Sequence, residues 1–236
     1  MKPARLILSC EHGVNTVPPV YQDYFVDQEA LLHSHRGIDF GSLAIASYLS
    51  QALNCELIQA KATRLLIDCN RSLSHPRCFS EISAPLPKAV KEEIIQQYYL
   101  PFRKAVEKSI ANHISQGYQV LHLSIHSFTP VIDNLMRNAD IGLLYDPARS
   151  TERILAKEWQ SKLNHHCTLR VRMNYPYRGI SDGFTSALRR QFSEHDYLGL
   201  EIENNQALVS DDNSLKYLSE SLVMTLKSLL QEDLSP

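Results

Sequence analysis

Histidine and glutamate side chains follow two short apolar runs of the chain. Glu11 and His12 come just after the run Arg5–Ser9, and His126 directly follows the run Val120–Ile125. Two imidazoles and one carboxylate are a known ligand set of catalytic zinc, because three protein ligands leave one position open for water. Bound zinc lowers the pKa of that water to about 7, which makes hydroxide available at neutral pH. The alternative for each histidine is a hydrogen-bonded structural role.

A second group of polar residues is suited to binding an anion. Arg64 precedes a third apolar run, Leu65–Ile67, and Asn70 and Arg71 closely follow it. Arginine can hold a carboxylate through two hydrogen bonds, and asparagine adds amide donors. Asn70 and Arg71 therefore predict a site for the acidic end of a small substrate, and Arg178, in a turn-forming loop, is a further candidate. The alternative is a surface ion pair, which contributes little.

Glu201 and Glu203 are the candidates for a general base. They lie at the end of the apolar run Tyr197–Ile202. A glutamate beside an activated water can take its proton and return it to the leaving nitrogen. Because the two glutamates alternate along a predicted strand, we expect them to meet different neighbours and only one of them to enter the site. For either residue the alternative is a salt-bridged carboxylate.

Three further side chains have open roles. Asp39 precedes the helical segment Gly41–Leu53, where it fits an N-cap. The alternative is that His35 or Asp39 reaches the metal or supports its ligands through hydrogen bonds. Cys10 adjoins His12, so a thiolate nucleophile is also conceivable, although residues two apart on a turn seldom align as a catalytic pair.

The elements that must position these residues follow from the apolar pattern. Seven short runs each predict a buried strand: Arg5–Ser9, Glu56–Gln59, Leu65–Ile67, Val120–Ile125, Ile141–Tyr145, Leu169–Arg172 and Tyr197–Ile202. Four longer segments predict helices, and Pro101 is expected to kink or split the second: Gly41–Leu53, Lys88–Ser115, Thr151–Asn164 and Ser214–Leu230. Strands that alternate with helices predict a three-layer α/β/α sandwich with a mostly parallel or mixed central sheet. Such sheets bind ligands beyond the carboxyl ends of their strands, where the polar residues fall, so we expect one site.

Composition narrows the class of protein. The chain has 236 residues, of which 44% are hydrophobic, and a formal net charge of −2. Without a concentrated basic face we expect neither a nucleic-acid nor a membrane partner. Five cysteines without a Cys-x-x-Cys spacing fit a reducing compartment, and no apolar stretch approaches the ~20 residues of a membrane span. We therefore expect a single cytoplasmic domain, residues 1–236, with its oligomeric state open.

Five motifs together resemble the N-formylglutamate amidohydrolase family over nearly the whole chain. They are Ser9-Cys10-Glu11-His12-Gly13, His35-x-x-x-Asp39-x-Gly41, Arg64-Leu65-Leu66-Ile67-Asp68-Cys69-Asn70-Arg71, Ser124-Ile125-His126-Ser127-Phe128 and Leu200-Glu201-Ile202. The resemblance implies a three-layer fold similar to that of zinc carboxypeptidases and aspartoacylase. It also implies hydrolysis of a linear amide in an N-acyl amino acid with a free carboxylate, such as N-formylglutamate.

The resemblance assigns roles to single residues. His12 and His126 match ligands of one zinc ion, or of another divalent metal. Asn70 and Arg71 match the pair that carboxypeptidase relatives use for the substrate carboxylate. Glu201 matches the general base.

Two departures from the related families affect these assignments. Carboxypeptidases and aspartoacylase place a ligand glutamate three residues after the first histidine, where this chain has Asn15. The carboxylate ligand must come from elsewhere, and Glu11 is the first candidate and Asp39 the second. After the general base, Glu203-Asn204-Asn205 replaces the family's usual basic or Gln-Asp pattern. This second departure bears on the substrate more than on the reaction class.

The sequence therefore predicts a zinc-dependent amidohydrolase that acts on a small anionic acyl-amino acid. Glu201 is the predicted general base, and Arg64 or the zinc ion stabilises the tetrahedral oxyanion. Asn70, Arg71 and Arg178 are expected to orient the substrate. The alternatives are a zinc peptidase acting on a short peptide or cell-wall fragment, and a non-catalytic relative that binds a small molecule.

Overall fold

A six-stranded sheet forms the centre of the structure, a computed structural model that describes residues 2–232. The strands in chain order are β1 (Ala4–Cys10), β2 (Glu56–Gln59), β3 (Gln119–Phe128), β4 (Val131–Ile132), β5 (Leu135–Met136), β6 (Ile141–Leu144), β7 (Val171–Met173) and β8 (Tyr197–Asn205). The sheet has the order β2-β1-β3-β8-β6-β7, and β4 and β5 form a separate hairpin. All neighbours in the sheet are parallel except β6 and β8, which are antiparallel.

Helices connect the strands and cover both faces of the sheet. They are α1 (Glu29–Leu32), α2 (Ser42–Leu53), α3 (Lys88–Ile94), α4 (Leu100–Ser115), α5 (Ser150–His166), α6 (Phe184–Gln191) and α7 (Asp212–Glu232). Between α3 and α4 the chain winds as a π-helix over Ile95–Tyr99, just before Pro101. Proline disrupts regular α-helical bonding, so the changed winding fits the break predicted there. None of the helices in residues 2–232 combines the length and apolar character that crossing a membrane requires.

Two hydrophobic clusters, one on each face of the sheet, hold the layers together. Successive side chains of a strand project to opposite faces, and the adjacent residues Ile7 and Leu8 of β1 belong to different clusters. Ile7 packs with residues of α3, α4 and α6, whereas Leu8 packs with residues of α2, α5 and α7. The predicted three-layer sandwich with a mixed, mostly parallel sheet is therefore confirmed.

The predicted strand Leu65–Ile67 is wrong. Residues 60–87 contain no helix or strand, and Leu66 instead closes a turn by donating its N–H to Thr63 O (2.9 Å). All three side chains of the run are buried, and a short apolar run cannot distinguish a strand from another buried segment. The hydroxyl groups of Ser80 and Ser83 donate to Leu65 O and fix the turn from within the segment.

The long helical stretch, which comprises α3, the π-helix and α4, makes hydrogen bonds to the irregular segment 60–87. The Tyr99 hydroxyl donates to Arg71 O (2.7 Å), and Arg103 Nη1 donates to Cys69 O and Arg71 O (3.2 Å each). Arg103 is 8% exposed, so these bonds are made in the interior. Tertiary contacts, rather than strand pairing, therefore bring the polar residues of this segment to the sheet.

The other six predicted strands match observed ones, but two of them, β3 and β8, extend further at their carboxyl ends than predicted. β3 continues to Phe128 rather than ending at Ile125, and β8 continues to Asn205 rather than Ile202. The sequence pattern predicts neither α6 nor the β4–β5 hairpin. The longer central strands place His126 inside the sheet, next to Glu203.

Candidate active site

Polar side chains occupy the carboxyl-terminal end of one sheet face. Ser9 pairs with Ser124, Ser124 with Glu201, and His126 with Glu203 in the registers of β1, β3 and β8. Residues two apart in a strand share a face, so these five side chains lie on the same side of the sheet. Because the three strands are parallel, their carboxyl ends meet at one edge, as the sequence predicts.

Three buried side chains converge at this edge. His12 follows β1, His126 lies near the end of β3, and Asp39 lies in the loop before α2. Asp39 Oδ2 is 3.3 Å from His12 Nδ1 and 2.9 Å from His126 Nδ1. One ligand atom from each residue lies within 4.8 Å of the others. Two imidazole nitrogens and a carboxylate oxygen are donors that suit a zinc ion.

Mutual contacts shift the pKa values of these side chains. Burial alone would lower the pKa of His126, but its hydrogen bond to Asp39 and the charges of Glu11 and Asp39 raise it to about 10. Burial opposes the ionisation of Asp39, yet His12 and His126 hold its pKa well below the ordinary value. A metal ion would therefore have to displace a proton from His126.

Asp68 contacts His12 at Nε2, the ring nitrogen that does not face Asp39. Its Oδ1 lies 2.7 Å from His12 Nε2 and accepts the backbone N–H of Asn70 (2.9 Å). Arg64 joins the two buried aspartates, because its terminal nitrogens lie 3.3 Å from Asp39 Oδ1 and 3.0 Å from Asp68 Oδ2. With Asp68 accepting the Nε2 proton of His12, Nδ1 is the nitrogen that faces Asp39.

Glu11 lies in the interior and is not part of the cavity wall. It is 1% exposed, and its two oxygens accept the hydroxyl protons of Ser9 and Ser124 (2.7 Å each). Its Oε2 is 3.4 Å from Nε2 of His126, the ring nitrogen that does not face Asp39. Of the two carboxylates considered as a metal ligand, the geometry groups Asp39 with both histidines and favours it over Glu11.

The expectation that only one of Glu201 and Glu203 enters the site is wrong. Both line the cavity, because residues two apart in a strand project from the same face. Glu201 Oε1 accepts the hydroxyl proton of Thr185 in α6 (2.6 Å). Glu203 is 5% exposed, and its Oε2 has no hydrogen-bond partner among the described residues. Burial raises the pKa of Glu203 to about 7.

The loop before α6 holds the two predicted substrate-binding residues of the irregular segment. The backbone N–H of Phe184 donates to Asn70 Oδ1 (2.7 Å), and Arg71 Nη1 donates to Asp182 O (2.6 Å). Since Oδ1 of Asn70 is occupied, its amide N–H groups are the donors that it can offer to a bound molecule. Both side chains line the cavity.

Gly183 allows α6 to approach the end of β8. A Cβ atom at this position would lie 2.8 Å from Glu201 Oε1 and 3.3 Å from Asn70 Oδ1. The first of these separations is shorter than real Cβ contacts allow, so a larger residue would push the glutamate or α6 away. The absent side chain thus brings Thr185 within hydrogen-bond distance of Glu201.

A cavity of about 690 Å³ opens over the triad of His12, Asp39 and His126. Its wall includes every predicted site residue except Glu11, namely His12, His126, Arg64, Asn70, Arg71, Arg178 and Glu201. Arg178 is exposed, and His35 also reaches the wall. Arg137 donates to the Tyr177 hydroxyl (3.0 Å) and lies 5.0 Å from the centre of its ring at the rim.

Two alternatives raised by the sequence find no support in the structure. Cys10 is fully buried against Ser42 rather than on the cavity wall, and burial raises the pKa of its thiol to about 12. A thiol with such a pKa is not a nucleophile at neutral pH. The N-cap of α2 is Gly41, without a side-chain hydrogen bond, so Asp39 does not cap this helix.

Four residues that hold the site together have no role predicted from the sequence: Ser9, Asp68, Ser124 and Thr185. Counting in steps of two along β1 and β3 would have placed Ser9 and Ser124 on the same face as His126. Asp68 lies inside a motif that the resemblance uses, between Arg64 and Asn70. Thr185 depends on α6, which no periodicity in the sequence predicts.

Comparisons with known proteins identify the family and the fold of the chain as a whole. The model of the N-formylglutamate amidohydrolase family matches residues 4–210. The crystal structure of a gene product from Agrobacterium tumefaciens is similar with a TM-score of 0.84 and 28% identity, over 99% of this chain and 93% of that chain. N-formylglutamate amidohydrolase from Ralstonia eutropha JMP134 has a similar fold, with a TM-score of 0.70 and 18% identity over 98% of this chain and 94% of that one. No curated protein matches the sequence.

Proposed function

Because the chain belongs to the N-formylglutamate amidohydrolase family, we propose that it hydrolyses the amide bond of a small N-acyl amino acid with a free carboxylate. N-formylglutamate is the first substrate to test. The observation that carries the proposal is the meeting of a His-Asp-His triad, two glutamates and several arginines in one cavity.

We assign the metal to His12, Asp39 and His126. Their donor set fits zinc, and three protein ligands leave a coordination position for reacting groups. When bound, a zinc ion supplies Lewis-acid polarisation of a carbonyl and hydroxide at neutral pH. The hydrogen bond from His12 to Asp68 is of the kind that orients metal-binding imidazoles.

Glu201 is the proposed general base. Thr185 fixes one of its oxygens, which holds the carboxylate in place while the other oxygen accepts a proton from the attacking water. The same carboxyl group then delivers the proton to the leaving nitrogen. Glu203, on the same face, is the second carboxyl group of the site, and its pKa of about 7 lets it offer a proton as well as accept one.

Asn70 and Arg71 form the proposed seat of the substrate carboxylate. Their rigid attachment to the loop before α6 fixes the distance between this seat and Glu201. Arg178, which is exposed on the cavity wall, adds a second positive charge. Planar guanidinium groups pair with carboxylates through parallel hydrogen bonds, which gives orientation as well as affinity.

Arg64 has a more limited role in this proposal. Each of its terminal nitrogens already meets a buried carboxylate, that of Asp39 or that of Asp68. We propose that it offsets the negative charge of these two residues. Its stabilisation of the tetrahedral oxyanion stays a prediction.

One observation favours a second candidate substrate class, a short peptide. The unpartnered oxygen of Glu203 is a buried acceptor on the cavity wall, and the ammonium group of an N-terminal residue would satisfy it. N-formyl and N-acetyl groups lack such a charge. A hydrolysis assay of this protein therefore has to include an aminoacyl compound.

The test is a hydrolysis assay on purified protein stripped with a chelator and then reloaded with zinc. N-formylglutamate, N-acetylglutamate and glycylglutamate are compared side by side. We expect turnover of at least one compound by the reloaded protein and little by the stripped protein, with His126→Ala inactive in both forms. A fully loaded protein that cleaves none of them would contradict the proposal, and tight binding without turnover would indicate a binding protein.

A further inference from the structure

A serine connects His126 to the buried carboxylate of Glu11. Ser124 Oγ lies 2.8 Å from His126 Nε2 and 2.7 Å from Glu11 Oε2. A carboxylate only accepts hydrogen bonds, so the single hydroxyl proton of Ser124 goes to Glu11. Towards His126 the serine oxygen can then only accept, which requires a proton on Nε2 of the imidazole.

The other oxygen of Glu11 fixes a second histidine in the same manner. Ser9 Oγ lies 2.7 Å from Glu11 Oε1 and 2.9 Å from His122 Nε2. The Ser9 proton goes to Glu11, so His122 carries its proton on Nε2, and its Nδ1 accepts from the Tyr197 hydroxyl (2.9 Å). Burial lowers the pKa of His122 to about 4, which keeps this imidazole neutral.

We infer that Glu11 is a positioning residue, which acts through Ser124 to keep the ring proton of His126 on Nε2 and so reserves Nδ1 for a metal ion. The inference rests on the proposed function for what Nδ1 binds. The position of the ring proton rests on the hydrogen bonds alone. Nδ1 faces Asp39 Oδ2, in the group of atoms assigned to the metal.

The two histidines of the triad are thus held by different devices. Nε2 of His12 bonds directly to the carboxylate of Asp68, whereas Nε2 of His126 reaches Glu11 through a serine. Both arrangements place the N–H on Nε2. Hydrogen-bonded carboxylates behind metal-binding imidazoles commonly change metal affinity 10–100-fold when they are removed, which sets the scale of the expected effect at roughly this range.

Glu11→Gln tests the inference because an amide has one accepting oxygen and one donating nitrogen. One of the two serines must then reverse its hydrogen bond. Reversal at Ser124 moves the ring proton of His126 to Nδ1 and blocks metal binding. Reversal at Ser9 moves the ring proton of His122 to Nδ1 and leaves His126 unchanged. A metal ion on Nδ1 of His126 therefore forces the second outcome.

The first measurement is zinc affinity, by competition with a chromophoric chelator, for the full-length wild type and variants. We expect E11Q to bind zinc about 10–100-fold more weakly than the wild type. Glu152→Gln is the matched control, because Glu152 is equally buried, bonds to Arg189 and lies outside the cavity wall. E152Q should lower the melting temperature and leave zinc affinity within twofold. Equal zinc affinity of E11Q and the wild type would overturn the inference.

The second measurement needs no variant and reports the ring protons directly. Long-range ¹⁵N–¹H NMR spectra of the wild type should show the N–H of neutral His122 on Nε2 with and without zinc, and in the zinc-loaded protein the single N–H of His126 on Nε2. In zinc-loaded E11Q the His122 proton should move to Nδ1. A wild-type His122 with its proton on Nδ1, or zinc on Nε2 of His126, would refute the inference. A wild type that binds zinc but hydrolyses nothing would contradict only the proposed function.

Discussion

The inner wall and the outer rim of the cavity differ in how deeply their side chains are buried. The inner wall, made of His12, Asp39, His126, Glu201 and Glu203, lies on strand ends and the adjoining loops and is mostly buried. The outer rim, made of Ile132 and Arg137 of the β4–β5 hairpin together with Tyr177 and Arg178, is half-buried to exposed, and Leu135 and Met136 of the same hairpin are 70% and 76% exposed.

Because of this difference in burial, we expect the inner wall to determine the rate of the reaction and the rim to determine which substrate binds. Removing one partner of a buried ion pair costs about 3–5 kcal/mol, because the other charge stays buried without a partner. An exposed ion pair contributes only about 0–1 kcal/mol. Changes on the inner wall should therefore affect the reaction and the fold together, whereas changes on the rim should affect the choice of substrate.

The largest expected effect is at the general base. Glu201→Gln should lower kcat/KM by about 10²–10⁴, because the amide cannot take a proton from water. Zinc affinity should stay unchanged, since Glu201 is not in the metal-binding group. Steady-state kinetics and chelator competition on the same preparation measure both quantities.

Glu203→Gln sharpens this prediction within the inner wall. If Glu201 is the base, E203Q should retain more activity than E201Q, and its loss should be greatest for an aminoacyl substrate. The reverse order of the two variants would transfer the role of general base to Glu203.

A smaller effect concerns the dependence of metal binding on pH. Because the pKa of metal-free His126 is raised to about 10, this side chain is protonated at pH 8 and must lose a proton when an ion binds. Zinc affinity should therefore rise with pH up to about 10, by up to about tenfold per pH unit for this one proton. Calorimetry in two buffers of different ionisation enthalpy should show at least one proton released per ion at pH 8, and no release would contradict the contacts assigned to His126.

On the rim, Arg178→Ala should raise KM by about 3–10-fold and leave kcat within twofold, as expected for an exposed charge contact of about 1 kcal/mol. Arg190→Ala is the matched control, because Arg190 is exposed on α6 and lies outside the wall of the cavity. A fall in kcat for R178A would show that Arg178 acts on the reaction, as the inner-wall residues do, and would contradict the expected difference between wall and rim.

The smallest effect is expected at the hairpin. Leu135→Ser should change the free energy of unfolding by less than about 0.5 kcal/mol, because the side chain is mostly exposed. Its kinetic constants for N-acyl amino acids should equal those of the wild type. Urea titration and the hydrolysis assay test these expectations, and a large loss of activity would show that the hairpin contacts the substrate.

The site residues that lie at strand ends are predictable from the sequence, because a strand is recognised from a few consecutive apolar residues. Apolar runs placed His12 and His126 at one edge of a sheet, and both lie there. The expectation that only one of Glu201 and Glu203 enters the site neglected the period of two of a strand, which puts both side chains on one face. Their joint placement was therefore available from the sequence.

The remainder could not be predicted because it depends on long-range packing. Leu65–Ile67 is apolar enough for a strand, yet it forms a buried turn whose bonds come from Ser80 and Ser83. Whether Glu11 or Asp39 faces the histidines depends on how the loop before α2 folds back over β1. No local pattern encodes that approach.

The contacts of Tyr99 and Arg103 with segment 60–87 have a consequence for local opening. This segment has no strand pairing, and two of its backbone carbonyls, those of Cys69 and Arg71, are tied to the long helical stretch. Segments of this kind can detach with a free energy below that of global unfolding. Substrate carboxylate bound at Asn70 and Arg71 would then stabilise the attached form, so that hydrogen exchange in 60–87 should slow on binding while the sheet stays unaffected.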